Sequence, residues 1–89
     1  MIPFSEVWER IAKNAGKVFY TKKRIKFTYT VNEDTLITNR IDYILTRNEV
    51  MAAFRHVPLG GPSELSGLVR GPSYIWAILH DKRIRQKDW

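Results

Sequence analysis

Residues 25–31 alternate strictly between large apolar and hydrophilic side chains, and this pattern constrains the fold more than any other in the chain. Ile25, Phe27, Tyr29 and Val31 occupy every second position. Because side chains on a strand point alternately to opposite faces, the pattern predicts a half-buried β-strand. Apolar residues at helical spacing occur both before and after this strand. The predicted class is therefore α+β.

Two further segments are predicted to join this strand. Residues 18–20 are a short β-prone run, and residues 36–45 are predicted as a longer strand after a turn at 32–34. Opposed residues of an antiparallel pair share a face, so a loop of two or four residues would set Phe27 against Arg40. A loop of three or five residues is the expected one. It matches the apolar face of the first strand with Ile37, Asn39, Ile41 and Tyr43.

Helical spacing and capping residues predict the helices. The first helix is expected over about residues 5–15 with Ser5 as its N-cap. Thr46 and Glu49 have the Thr-x-x-Glu spacing of a capping box, which predicts a second helix that ends before Pro58.

The last third of the chain is predicted to be helical. A short helix is expected after Pro62, and residues 74–79 are predicted as a helix capped by Ser73, with Ile75, Ile78 and Leu79 directed inward. A fully buried strand is the alternative for 74–79, since its six apolar residues show no alternation. Residues 82–89 are predicted to fray unless Ile84 and Trp89 pack against the core.

The predicted architecture is one small domain spanning residues 1–89. It has an N-terminal helix, an antiparallel meander of two or three strands, and then two or three C-terminal helices packed on one sheet face. The chain has no cysteine, which excludes disulfides, thiolate metal sites and a cysteine nucleophile. No apolar run approaches the ~20 residues of a membrane span, and no signal peptide precedes the first polar residues. We therefore expect a protein of the reducing cytoplasm with no membrane partner.

Positive charge is concentrated in residues 10–32. This segment contains seven bases and no acid, whereas the whole chain has a net charge of +6. A local concentration of charge attracts polyanions, while scattered charge only aids solubility. The bases of the segment are Arg10, Lys13, Lys17, Lys22, Lys23, Arg24 and Lys26.

The basic segment predicts a small, non-enzymatic nucleic-acid-binding protein, with DNA or RNA as the partner and no cofactor. Tyr20, Thr28 and Thr30 lie among the bases, and such interleaving suits base stacking and backbone hydrogen bonds. The alternative is a solvated strand edge, because lysines also protect exposed strands from aggregation. The predicted binding residues are Lys13, Lys17, Lys22, Lys23, Arg24, Lys26 and Arg83. The C-terminal helix and its basic tail, Lys82 to Lys87, are expected to add contacts.

Residues 62–83 also fit the spacing of a helix-turn-helix. Leu65, Val69, Trp76 and Leu79 match its apolar positions, with small Ser66 at the helix crossing. A recognition helix would then present Ser73, Tyr74, Ala77 and His80 to the major groove. Any two packed helices would give a similar pattern.

The two histidines are expected at helix C-termini, where the helix dipole favours them. His56 and His80 are too few for a metal site without clustered acids, so no metal is expected. A metal-independent ribonuclease toxin is a third hypothesis. It would use His80, Arg83, Arg70 and Tyr74, which lie close together in sequence.

The aromatic content exceeds what a small core needs. Trp76 is expected to point away from the apolar stripe of its helix, and Trp89 has no obvious partner. Since Trp and Tyr are frequent interface anchors, Trp76, Tyr74 and Trp89 are the predicted interface residues of a homodimer or adaptor module. This is the alternative to nucleic-acid binding. In the other interpretation, Trp76 covers the open side of the sheet.

Overall fold

Two small antiparallel sheets follow one α-helix and precede three α-helices and a 3₁₀ helix in the computed structural model, which describes residues 2–89. The α+β class, the N-terminal helix and the C-terminal helices are confirmed, while the predicted meander is divided into five short strands. In chain order the elements are α1 (Phe4–Lys13), β1 (Phe19–Tyr20), β2 (Lys26–Phe27), β3 (Tyr29–Asn32), β4 (Thr35–Thr38), β5 (Leu45–Thr46), α2 (Arg47–Phe54), a 3₁₀ helix (Pro62–Leu65), α3 (Pro72–Leu79) and α4 (Lys82–Arg85).

The predicted strand over 25–31 is interrupted at Thr28. Its first part, β2, pairs with β1, and its second part, β3, pairs with β4. The backbone N–H of Thr28 donates to the side-chain oxygen of Asn39 at 2.9 Å, and the N–H of Asn39 donates to the Thr28 carbonyl at 3.1 Å. The Thr28 N–H is therefore bonded to the side chain of Asn39 and not to the backbone of a neighbouring strand. The two parts of the predicted strand, β2 and β3, belong to different sheets.

The expected odd loop is wrong, because the turn between β3 and β4 has two residues. Thr35 pairs with Asn32, which leaves Glu33 and Asp34 as the turn, with Glu33 at φ 55°. The inward residues of β4 are consequently Leu36 and Thr38. The predicted partners Ile37 and Asn39 are exposed. Phe27 and Arg40 are not opposed, although the turn has two residues, because the strand is interrupted at Thr28 between them and the turn.

The predicted long strand over 36–45 is also wrong. β4 ends at Thr38, the chain turns at Asn39 and Arg40, and β5 covers only Leu45 and Thr46. The hydroxyl of Thr38 accepts from the N–H of Arg40 at 3.2 Å, which closes this turn. Ile41 is half-buried and Tyr43 is 38% exposed, so neither belongs to an inward strand face.

Of the predicted helix caps Ser5, Thr46 and Ser73, only Thr46 is confirmed. The capping box of Thr46 and Glu49 is present at the start of α2. Ser5 is not the N-cap of α1, because that helix begins one residue earlier, after Pro3. Ser73 is not the cap of α3, since Pro72 is its first residue and Gly71, at φ 58°, precedes it.

One core joins these elements. The buried aromatic residues Phe19, Phe27 and Tyr29 come from the strands, and α1 packs against β3 while α3 packs against β1. The phenol of Tyr29 donates to the Ile11 carbonyl at 2.6 Å. This bond satisfies an acceptor near the end of α1, where helical carbonyls lack partners within the helix.

The C-terminal segment packs against the core. Helix α3 is confirmed, and Ile75, Ile78 and Leu79 are buried as predicted. Ile84 in α4 has no exposed surface. The indole N–H of Trp89 donates to the Leu79 carbonyl at 2.8 Å. Its ring packs edge-to-face with the Phe54 ring, with the two centroids 5.0 Å apart. Residues 82–89 therefore pack against the core through Ile84 and Trp89, which is the condition under which the sequence predicts that they do not fray.

Candidate nucleic-acid interface

The hairpin of β1 and β2 presents Tyr20 and the basic side chains on its outer face. Tyr20 lies directly opposite Lys26, and opposed residues of an antiparallel pair point to the same side. The hairpin tip is closed by hydrogen bonds from Thr21 N–H to the Ile25 carbonyl at 3.0 Å and from Arg24 N–H to the Thr21 carbonyl at 2.9 Å. Phe19 and Phe27 form the opposite, buried face. The hairpin thus separates a core face from a charged face.

An open groove of 830 Å³ lies between this hairpin and helices α3 and α4. We call it the hairpin groove. The hairpin supplies one wall, and the end of α3 together with the start of α4 supplies the other. Its lining residues are Tyr20, Thr21, Lys22, Arg24, Trp76, Ala77, His80, Asp81, Lys82 and Arg83.

The hairpin groove has a strongly positive balance. Lys22, Arg24, Lys82 and Arg83 face a single acid, Asp81. The carboxylate of Asp81 is already paired, since Arg83 Nε donates to Oδ1 at 2.8 Å and Nη2 donates to Oδ2 at 2.9 Å. The other three bases therefore act on the groove without a counter-charge among its lining residues.

Arg83 holds the two walls together. In addition to Asp81, its Nη2 donates to the Val18 carbonyl at 2.8 Å, and its guanidinium lies 4.1 Å from the centre of the Phe19 ring. Hydrogen bonding to Asp81 raises the pKa of Arg83 above its usual value. Arg83 thus has a structural role at the groove, and its predicted contact with nucleic acid stays a prediction.

The Lys22 side chain reaches the loop that precedes the 3₁₀ helix. Its ammonium donates to the Gly60 carbonyl at 2.7 Å and lies 5.8 Å from the centre of the Trp76 ring. The ammonium charge therefore stays close to an aromatic surface within the groove.

His80 forms part of the groove floor. Its ring stacks on Trp76 with the centroids 5.0 Å apart. Nε2 accepts from the Leu59 N–H at 2.9 Å, and Nδ1 lies 3.0 Å from the Trp76 carbonyl, an arrangement that assigns the proton of the neutral ring to Nδ1. Burial lowers the pKa of His80. Both nitrogens are engaged, so neither is poised as a general base.

The residues of the ribonuclease hypothesis do not share one groove. Arg70 donates to the Glu49 carboxylate and, at 2.8 Å, to the Ile44 carbonyl. Of the four proposed residues, His80 and Arg83 line the hairpin groove, whereas Arg70 and Tyr74 are not part of its lining. The groove therefore lacks two members of the proposed catalytic set.

The predicted binding residues divide into two groups. Lys22, Arg24 and Arg83 line the hairpin groove. Lys26 adjoins it through its pairing with Tyr20. Lys23 does not line the groove, but together with Lys22 it lines a smaller cleft of 240 Å³.

Lys13 and Lys17 form the second group, at the end of α1 and in the turn after it. Both are exposed and outside the groove lining, and Lys17 Nζ donates to the Asn14 side-chain oxygen at 3.1 Å. The structure therefore concentrates the candidate site at the hairpin more than the sequence did.

Tyr20 and Lys82 also line the groove, and from the sequence Tyr20 is expected among the bases as a stacking residue and Lys82 in the basic tail that adds contacts. Tyr20 is 56% exposed and lies among the bases of the hairpin, and Lys82 stands on the opposite wall. The alternation of the hairpin contained a signal for Tyr20, because it shares parity with Lys22, Arg24 and Lys26. Nothing local in the sequence brings Lys82 to the same groove.

The predicted interface aromatics all make contacts within the chain. The Trp76 indole donates to the Leu59 carbonyl at 3.1 Å, and Tyr74 meets the Phe27 ring edge-on at 5.1 Å. Trp89 packs on Phe54 as described above. Their predicted role in a homodimer stays a prediction.

The helix-turn-helix pattern does not describe this region. The first of its two helices is the 3₁₀ helix, which has only 4 residues. Ala77, one of the residues expected to face DNA, is only 5% exposed. A one-turn element followed by a helix with a buried Ala77 cannot present the predicted recognition surface.

Within residues 2–89, no three His, Cys, Asp or Glu side chains form a group suited to a metal ion. No helix in the same part of the chain has the length and apolarity to cross a membrane. Comparison with protein-family models, curated proteins and solved structures gives no match for this chain.

Proposed function

We propose that this protein is a non-enzymatic nucleic-acid-binding protein that contacts the phosphate backbone through the hairpin of β1 and β2 and the hairpin groove. The observation that carries the proposal is the convergence of Lys22, Arg24 and Lys82 around a groove whose one acid is already paired with Arg83. Lys26 extends the positive surface along the outer face of the hairpin. Such a surface complements a polyphosphate chain.

Salt dependence is the first test of this mechanism. Bases that neutralise phosphates release condensed counterions, so log K should fall linearly with log salt concentration. We expect a slope of about −0.9 per phosphate contact on duplex DNA and about −0.7 on a single strand. Fluorescence anisotropy of labelled RNA, single-stranded DNA and duplex DNA, over about 50–300 mM salt, measures this slope.

Two matched double variants test the location of the site. Arg24→Gln/Lys26→Gln removes two bases of the hairpin, and Arg40→Gln/Arg55→Gln removes two exposed bases outside the groove. The hairpin variant should bind more weakly and reduce the magnitude of the single-strand slope by about 1.4, the share of two contacts. The second variant has the same net charge and should stay close to the wild type.

Two results would contradict the proposal. Absence of binding at the lowest salt would make the hairpin bases a solvated surface, and equal losses in both double variants would show a non-specific charge effect. Light scattering on the same samples addresses the homo-oligomeric alternative. A dimer of the 10.5 kDa chain would support that alternative. A monomer would contradict it.

A further inference from the structure

Among the large hydrophobic side chains between residues 2 and 89, Tyr20 has the highest exposed fraction. It is 56% exposed, whereas the next, Ile44, is 47% exposed. Strand pairing places Tyr20 beside Lys26, and the hairpin groove places it beside Lys22 and Arg24. A solvent-exposed aromatic ring thus shares the groove lining with Lys22 and Arg24 and is paired with Lys26.

The second aromatic residue of the groove does not offer a comparable surface. One face of Trp76 is stacked on His80 at 5.0 Å, and its indole N–H is bonded to the Leu59 carbonyl. The ammonium of Lys22 also lies near this ring, at 5.8 Å from its centre. Tyr20 is therefore the aromatic side chain of the groove that has room for a further ring.

An exposed aromatic ring among cations suits a nucleic acid with open base faces. Proteins that bind single strands combine a positive groove for the backbone with aromatic side chains on which bases stack. A duplex keeps its bases stacked on one another and presents their edges in its grooves. Tyr20 would find no base face in a duplex.

We propose that the hairpin groove binds single-stranded nucleic acid, with one base stacked on Tyr20 and the neighbouring phosphates held by Lys22, Arg24 and Lys82. This inference rests on the proposed function and narrows its ligand to a single strand. RNA and single-stranded DNA share the required chemistry, since both have open base faces and a phosphate backbone.

Substitutions at Tyr20 test the stacking. Tyr20→Ala and Tyr20→Leu remove the aromatic ring, and Tyr20→Phe keeps it. We expect both ring-deleted variants to bind a single-stranded oligonucleotide about 5- to 150-fold more weakly, and Tyr20→Phe to bind like the wild type. Tyr43→Ala removes an exposed tyrosine outside the groove and serves as the matched control.

The ligands in the experiment separate stacking from charge. Anisotropy is measured with a single-stranded RNA, a single-stranded DNA and a duplex of the same length, and heparin competes as a polyanion without bases. Tyr20→Ala should weaken binding of the single strands and leave the affinities for duplex and heparin unchanged. The stronger of the two single-strand arms identifies RNA or DNA as the preferred source.

Failure of this inference differs from failure of the proposed function. Equal affinity for single strand and duplex, unchanged in Tyr20→Ala and Tyr20→Leu, would overturn the single-strand inference while phosphate binding remained. Absence of salt-dependent binding to every ligand would overturn the proposed function itself. Circular dichroism confirms that each Tyr20 variant is folded, and the leucine variant replaces the alanine variant if the latter is not.

Discussion

The imidazole of His80 has both nitrogens hydrogen-bonded inside the protein. The Leu59 N–H donates to one nitrogen, and the other is bonded to the Trp76 carbonyl. Protonation would place a second N–H against that of Leu59. Burial lowers the pKa of His80 and nearby Arg85 lowers it further, while the Trp76 carbonyl and Glu64 act in the opposite direction. The groove floor is thus arranged for a neutral ring.

This arrangement predicts that acid destabilises the fold. The ordinary pKa of His80 is 6.5 and the folded value lies below it, so the unfolded chain takes up the proton first. The stabilisation is fully present above pH 6.5 and declines as the pH falls towards the folded pKa. Through His80 alone, the free energy of unfolding changes by at most about 1.4 kcal/mol per pH unit.

Urea unfolding between about pH 7.5 and pH 5 measures this dependence. His80→Gln should lose the contribution of His80 to the slope. His56→Gln, at an exposed histidine, is the matched control. A wild-type slope in His80→Gln would show that another group causes the acid effect.

At the scale of elements, the start of α2 joins two distant parts of the chain. The Thr46 hydroxyl accepts from Glu49 N–H at 3.1 Å, and the Glu49 carboxylate accepts from Thr46 N–H at 3.2 Å. The same carboxylate accepts from Arg70 N–H at 3.1 Å. Burial acts to raise the pKa of Glu49, but the hydrogen bonds from Arg70 and Thr46 outweigh it and lower that pKa.

Loss of the Thr46 hydroxyl should destabilise the protein. Thr46→Ala removes the acceptor of Glu49 N–H and is expected to lower the free energy of unfolding by about 1 kcal/mol. Thr46→Ser keeps the hydroxyl and should stay within about 0.5 kcal/mol of the wild type. Urea unfolding compares the two, and equal losses would assign the effect to the methyl group of Thr46.

Local patterns predicted the elements well and their pairing poorly. The capping box of α2 was visible because all of its atoms lie within four residues of sequence. The interruption at Thr28 was not visible, since it depends on the side chain of Asn39, 11 residues away. The two-residue turn was missed because the opposition of Phe27 and Arg40, which counts against it, requires an unbroken strand over 25–31, and that strand is interrupted at Thr28.

The candidate site divides in the same way. The hairpin wall was predictable, because Lys22, Arg24 and Lys26 are close in sequence and share parity with Tyr20. The helical wall was predictable only as additional contacts from the basic tail, because the approach of Lys82 to the hairpin depends on the packing of α3 and α4. Sequence periodicity carries no information on such distant contacts.

At the scale of the whole molecule, a hydrogen bond and an ion pair join the first helix to the last helix and the residues after it. The Arg10 guanidinium donates to the Ile84 carbonyl at 2.8 Å and pairs with Asp88 at 2.7 Å. Ile84 itself is fully buried. Because α4 also lines the hairpin groove, the docking of the chain end helps to position the candidate site.

Truncation of Ile84 should therefore affect the stability of the whole fold. Ile84→Ala removes a buried side chain and should lower the free energy of unfolding by about 2–5 kcal/mol. Ile44→Ala is the same substitution at a residue that is 47% exposed, and its effect should stay within about 0.5 kcal/mol. Thermal unfolding followed by circular dichroism measures both. A loss in Ile84→Ala of no more than about 0.5 kcal/mol would show that α4 contributes little to the core.

The two faces of the β1–β2 hairpin also affect how the protein can evolve. Phe19, Thr21 and Phe27 are buried, while Tyr20 and Lys26 are exposed on the other side. Heritable changes at the exposed positions can alter the outer surface without creating cavities in the core. A library randomised at the outer face should therefore yield mostly folded clones, so that this surface can diverge in sequence while the core is kept.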